Sequence, residues 1–238
     1  MPRPPATQRL SNRLRAAALS LVLAFLPALG VAQTDQRVLV TDAKVTLANF
    51  LNDPNMKSLQ GDLGHAKALL IAPNVAKAGF IVGGSGGRAV AIARDAKTGK
   101  WVGPAFYTLA TASVGFQAGI AVSEMVTLVM TDKGLNSLLS DSFRMGGDLS
   151  IAVGPVGGGA RSNLTADLVT FSRSQGVYAG LNFDGTIVST ADDWNRIYYG
   201  KATSPADIFV RTNVRNEQAK ELLNMAAAAA GENSPPKK

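Results

Sequence analysis

Between Gly83 and Gly87 the chain reads Gly-Gly-Ser-Gly-Gly, which sets Ser85 in the GxSxG spacing of a hydrolase nucleophile elbow. That elbow needs a helix after the serine and a histidine later in the chain. Here the residues that follow, RAVAIAR, alternate like a strand, and the single histidine, His65, comes before the serine. The glycines Gly83, Gly84, Gly86 and Gly87 therefore read as a glycine-rich turn or bulge, with a Ser85 hydrolase kept as the alternative function. A phosphate loop is also poorly matched, because no GKS or GKT closes the run and no helix follows to receive a pyrophosphate. What survives of that reading is a nest of backbone amides beside Arg88.

Other chemistry-bearing residues are sparse. With one histidine and no cysteine, a nitrogen- or sulfur-rich metal shell cannot be assembled, so His65 reads as solvated helix surface and no metal or cofactor is expected. Asp184, Asp192 and Asp193 lack the spacing of a calcium loop, and Asp192 is expected to cap a short helix. Glu124 is the acid that stands out, at an even position of an apolar run from Ile120 to Met130. A carboxylate on such a face needs a partner, for which Arg88 and Arg173 are the candidates, or else that face is solvated. Cations at Lys77, Arg88, Arg94, Lys97, Lys100, Arg161 and Arg173, with the aromatics Trp101, Phe106 and Tyr107, have the composition of a surface that holds an anionic bilayer. Ordinary solvated charge over core aromatics is the competing reading.

The elements that position these residues follow from periodicity. From Asp35 to Leu70 apolar residues recur at helical spacing, interrupted by Asn52-Asp53-Pro54, which predicts two helices with the second ending near Pro73. Beyond Pro73 the period becomes two. Val90 and Ile92 share a face, as do Leu149, Ile151 and Val153, and then Val177, Ala179, Leu181 and Phe183. Ala96 to Lys100 and Asp184-Gly185 read as tight turns. Thr131 to Phe143 is expected to be helical, with Thr131 or Asp132 as its N-cap, as are Asp192 to Tyr199 and Val214 to Ala230. The sum is an α+β fold, a curved, barrel-like antiparallel β-sheet flanked by N-terminal and C-terminal helices. The expected divisions are a signal segment over 1–32, helices over 33–73, a β-rich core over 74–212, a helix over 213–230 and a disordered tail over 231–238.

The signal expectation rests on Arg3, Arg9, Arg13 and Arg15, the apolar run from Ala16 to Leu29, and Gly30-Val31-Ala32, with cleavage after Ala32. Of 24 basic residues four would leave with it, so 20 against 17 acids gives the remainder +3. That is too weakly and too diffusely basic for nucleic acid. Without cysteine no lipid anchor forms at the cleavage site, so a periplasmic or secreted protein is expected. The alternative of a small outer-membrane barrel conflicts with the helical ends.

Three segments carry a family likeness: KAGFIVGGSGGRAVAIA from Lys77, GPVGGGAR from Gly154 and FSRSQGVYAGLNFDG from Phe171. With AKALLI at Ala66, GFQAG at Gly115 and Glu124 they occur in one order, and together they resemble the SYLF domain. The resemblance implies lipid binding without catalysis, with phospholipid or a membrane surface as partner. Eukaryotic members are actin-associated, but actin is a poor partner for an exported protein. Ahead of this domain, the helix expected from Asp35 to Asn52 holds only Arg37 and Lys44 as cations, which argues against a carried-over phosphoinositide preference.

Overall fold

The computed structural model describes residues 28–79, 82–114, 119–154, 165–174 and 183–231. Most of the expected signal, Arg161, the alternation from Val177 to Leu181 and the tail beyond residue 231 lie outside them.

Helix α1 (Ala28–Asn52) buries Leu39, Val40, Ala43, Leu47 and Phe50, a stripe at spacings of one, three and four residues that faces the sheet. Pro54 ends the run. The Asp53 carboxylate then accepts from the Asn55 amide at 2.9 Å, opening a 3-10 turn (Pro54–Met56) ahead of the short helix α2 (Lys57–Asp62). His65 is exposed, on a 3-10 turn (Leu63–His65) rather than in the helix itself.

Strand β1 (Ala68–Gly79) corrects the expectation that helix continues to Pro73. Leu69 and Ile71 enter one core while Ala68, Leu70 and Ala72 enter another. A strand buried on both faces loses its alternation and becomes a continuous apolar run, which periodicity cannot tell from helix. Pro73 sits where β1 carries one residue more than both of its neighbours. The pairing steps from Ile71 to Asn74 against β2 and from Ala72 to Val75 against β4. This bulge suits a residue with no amide hydrogen.

The sheet has eight strands in the order β5-β8-β3-β2-β1-β4-β7-β6. Its long members are β1, β2 (Val82–Arg94), β3 (Trp101–Val114) and β4 (Gly119–Val129). The shorter ones are β5 (Ser142–Arg144), β6 (Ile151–Val153), β7 (Leu168–Ser174) and β8 (Ile187–Thr190). All neighbours are antiparallel except β6 and β7, which run parallel, so the curled half-barrel is mixed rather than purely antiparallel. The β2–β3 connection is the expected turn, with Gly99 at φ +70°, a value that favours glycine.

One face of the sheet packs Phe106, Val126 and Phe171 beneath α1, α4 (Asp192–Tyr199) and α6 (Lys220–Ala229). The opposite face packs Leu70, Tyr107 and Met125 against residues of α3 (Asp132–Leu138) and α5 (Pro205–Phe209). Each large apolar side chain so buried stabilises the fold by about 2 kcal/mol.

Several boundaries differ from expectation. Helix α3 starts at the expected cap, with Thr131 Oγ1 accepting from the Gly134 amide at 3.1 Å, but it stops at Leu138, and Phe143 belongs to β5. Helix α4 has Ala191 at its N-cap, not Asp192. Asp192 and Asp193 instead lie in its first turn, where the helix dipole favours anions. The last helix is shorter than 214–230 and is entered by a 3-10 turn (Glu217–Ala219).

Candidate functional site

The glycine-rich run does not form a turn. Gly83, Gly84, Gly86 and Gly87 lie inside β2, paired with β1 on one side and β3 on the other, so their amides belong to the sheet ladder and make no phosphate nest. Gly87 has a packing reason. A Cβ there would run into the carbonyl oxygen of Asn74, which the β1 bulge pushes toward it. Ser85 sits mid-strand opposite Lys77 and Thr111. A nucleophile elbow needs a strand-to-helix turn, so the hydrolase reading loses its geometry. No group of three or more His, Asp or Glu side chains is placed to hold a metal among the described residues.

Glu124 is a structural acid. Its carboxylate accepts from Arg173, through Nε at 2.9 Å and through the guanidinium Nη2, and from the Thr46 hydroxyl of α1 at 3.2 Å. The Arg173 guanidinium also lies 5.5 Å from the centre of the Phe50 ring. Both charged side chains are largely shielded, at 20% and 26% exposure, and they tie β4 and β7 to α1. Arg173 is thus removed from the set of cations open to a ligand.

The other cations divide. Lys77 is half-buried on β1, on the same face as Val75, and Arg88 lies on the face that carries Val90. Arg88 donates to the Thr108 hydroxyl at 2.9 Å, with its guanidinium 4.5 Å from the Trp194 ring centre. The structure brings Arg94, Lys100 and Trp101 together, beside Lys97 on the same turn, at the mouth of an open cleft of about 900 Å³. The opposite wall comes from the C-terminal segment, including Arg215, Lys220 and Leu223.

Trp101 cannot insert into a bilayer from this position. It is 6% exposed and belongs to the core, like Phe106 and Tyr107, so the expected inserting aromatics are packing residues. The first residue of β3, Trp101 pairs with Arg94, whose guanidinium lies 4.7 Å from the indole centre. Arg94 donates to the carbonyls of Ala66 at 2.8 Å and Gly64 at 3.3 Å, and its partial burial lowers its pKa. The indole Nε1–H has no acceptor among the described residues. A buried donor left so costs about 1–3 kcal/mol.

Charge around the cleft is unevenly committed. Asp95 is turned into its own loop, accepting from the Lys97 amide at 2.9 Å and from the Thr98 amide and hydroxyl at 2.7 and 3.0 Å. Those bonds, the Thr98 amide foremost, hold its pKa below the usual carboxylate value. Lys100, Arg215 and Lys220 have no ion-pair partner among the described residues, and Glu217 is the second acid of the lining. Val102, Ile208, Val214, Leu223 and Ala227 give the same cleft an apolar wall.

Arg215 and Lys220 are the residues that sequence reasoning missed. Their wall is set in place by α5, which was not expected although Ser204-Pro205-Ala206-Asp207 spells its start. Ser204 and Asp207 make a reciprocal capping box, with proline in the first turn. These bonds to Ser204, with the Arg211 ion pair, hold the Asp207 pKa far below the ordinary value.

Comparison with known proteins adds a lineage to this geometry. The family model described as "Ysc84: Las17-binding protein actin regulator" matches residues 110–229, from mid-β3 to the end of α6. The chain belongs to the Ysc84, or SYLF, family. It is 32% identical over 168 residues to human SH3 domain-containing YSC84-like protein 1, covering 68% of this chain and 48% of that one. The Xenopus laevis protein of the same name is 30% identical over 158 residues, covering 64% and 47%. LAS seventeen-binding protein 3 of Saccharomyces cerevisiae is 30% identical over 145 residues, covering 58% and 31%. The chain thus spans about half the length, or less, of these curated relatives. No solved structure is a significant match. Within the family match fall Glu124, Arg173, Arg215 and Lys220, whereas Arg94, Lys100 and Trp101 precede it.

Proposed function

We propose that this chain binds anionic phospholipid at a membrane surface, through the cleft between the β2–β3 turn and the C-terminal segment, and carries out no covalent chemistry there. The observation that supports it most is the set of cations, Lys100, Arg215 and Lys220, that have no ion-pair partner among the described residues while bordering an apolar wall. Phosphate headgroups supply the missing anions, and the apolar wall suits the adjoining acyl region. Lys97, exposed at the turn, adds to the same charge. The protein reaches that surface by export, its signal cleaved after Ala32.

Flotation of the protein with phosphatidylglycerol vesicles, against phosphatidylcholine vesicles, tests the reading. Binding to the anionic vesicles that salt weakens is expected. Equal partition between the two compositions at low salt overturns it. Co-sedimentation with actin filaments is the opposing arm, since the family description names an actin regulator. Filament binding without vesicle binding would move the function from lipid to actin. N-terminal sequencing of protein from the exporting host checks the address, and an intact Met1 would refute export.

A further inference from the structure

Cations outnumber acids in the cleft. Arg94, Lys100, Arg215 and Lys220 stand against two acids there, Asp95, whose Oδ1 is taken up by its own turn, and the exposed Glu217, and the buried Nε1–H of Trp101, a lining residue, has no acceptor among the described residues. The indole cannot swing to find one, because it is held in the strand ladder opposite Arg94 and packed into the core at 6% exposure. A ligand that answers this shortage carries an oxyanion, and Leu223 and Ala227 on α6 offer its apolar part a wall.

We propose that the cleft takes up one whole amphiphile, a phosphate-type oxyanion on a single alkyl or acyl chain, with a phosphate oxygen accepting from Trp101 Nε1–H and the chain lying along α6. The proposal rests on the lipid reading above and deepens it: the site admits a molecule rather than touching a headgroup plane. Lys100, Arg215 and Lys220 neutralise the phosphate, and the indole supplies a neutral, directional donor that rim lysines cannot imitate. Since the nitrogen is shielded from solvent, the ligand reaches it by parting the cleft wall, so indole emission changes on binding.

The test uses dodecyl phosphate below its micelle concentration, followed by calorimetry and, in a Trp194→Phe background, by Trp101 emission. Inorganic phosphate and phosphatidylglycerol vesicles are the companion probes. Trp101→Phe keeps an aromatic ring in the core and removes the donor, and is expected to weaken dodecyl phosphate binding by about tenfold. Arg215→Gln, at an exposed position that does not threaten folding, is expected to weaken it by about threefold. Unchanged affinity in a folded Trp101→Phe protein overturns the role of the indole, and unchanged affinity in Arg215→Gln overturns the cleft as the site. Inorganic phosphate bound as tightly as dodecyl phosphate would show a free-oxyanion site and overturn the amphiphile. Vesicle binding without dodecyl phosphate binding overturns this inference and leaves the surface reading standing, whereas failure of both probes removes the two together.

Discussion

Two arginine environments on the same face of the sheet have opposite characters. At the β4–β7 pair, Arg173 is held by Glu124, which also takes Thr46 from α1, and the guanidinium packs over Phe50. At the β2–β3 turn, Arg94 is bound to carbonyls and stacked on Trp101, while Lys100, Arg215 and Lys220 have no ion-pair partner among the described residues. The first cluster is complete within the chain and the second is not. Charge closed on itself serves the fold, and charge left open points outward to a partner.

Breaking the closed cluster has the largest expected effect. Arg173→Ala leaves the Glu124 carboxylate shielded without its partner and is expected to cost about 3 kcal/mol, lowering the melting temperature by roughly 9 °C. Binding to anionic vesicles by the remaining folded protein should not change. A fall in vesicle binding with intact stability would erase the distinction between the clusters.

A closed acid away from both clusters gives the next effect. Asp167 accepts from Thr131 Oγ1 at 2.6 Å and from the Ser150 amide and hydroxyl at 3.0 and 2.8 Å, and these bonds, Thr131 first, depress its pKa. A depressed folded pKa gives stability that is present above the unfolded carboxylate value and is lost as pH falls through the lower folded value. Asp167→Asn should therefore cost about 2 kcal/mol at neutral pH, with the gap to wild type closing in acid. Thermal melts from neutral to acid pH read this directly, and a gap that widens in acid would contradict it.

The open cluster should respond in the reverse manner. Lys100→Glu combined with Arg215→Glu is expected to lower anionic vesicle binding at least tenfold, about 1.4 kcal/mol, with melting unchanged. The smallest effect is expected from Lys97→Ala at the turn tip, about twofold in vesicle binding. If Lys97 mattered more than the Lys100 and Arg215 pair, the binding surface would lie on the turn and not in the cleft.

Much of the fold was legible because local rules governed it. The even positions of β4 carry Val126 and Leu128 into one core, as their alternation indicated, and α4 spans the expected Asp192–Tyr199. What escaped was set by contacts between distant segments. Leu69 and Leu70 looked helical because burial on both faces of β1 hides the strand period. The site was half legible: Arg94, Lys97, Lys100 and Trp101 lie close in sequence, but nothing local sets Arg215 and Lys220 across from them. Trp101 reads from the sequence as an inserting aromatic, but its ring is buried and its nitrogen has no acceptor among the described residues.

The extra residue in β1 constrains how this sequence can vary by descent. Ahead of the bulge Leu69 and Ile71 face the helices, and after it Asn74, Ala76 and Ala78 take that side. Loss of one codon between Ala72 and Asn74 would not simply shorten the strand; it would exchange the two faces of everything on one side of the gap. Gly87, whose missing side chain makes room for the bulged carbonyl, is bound to the same history. A lineage that lost the extra residue would release Gly87 from its requirement, and one that first filled Gly87 would have to give up the bulge.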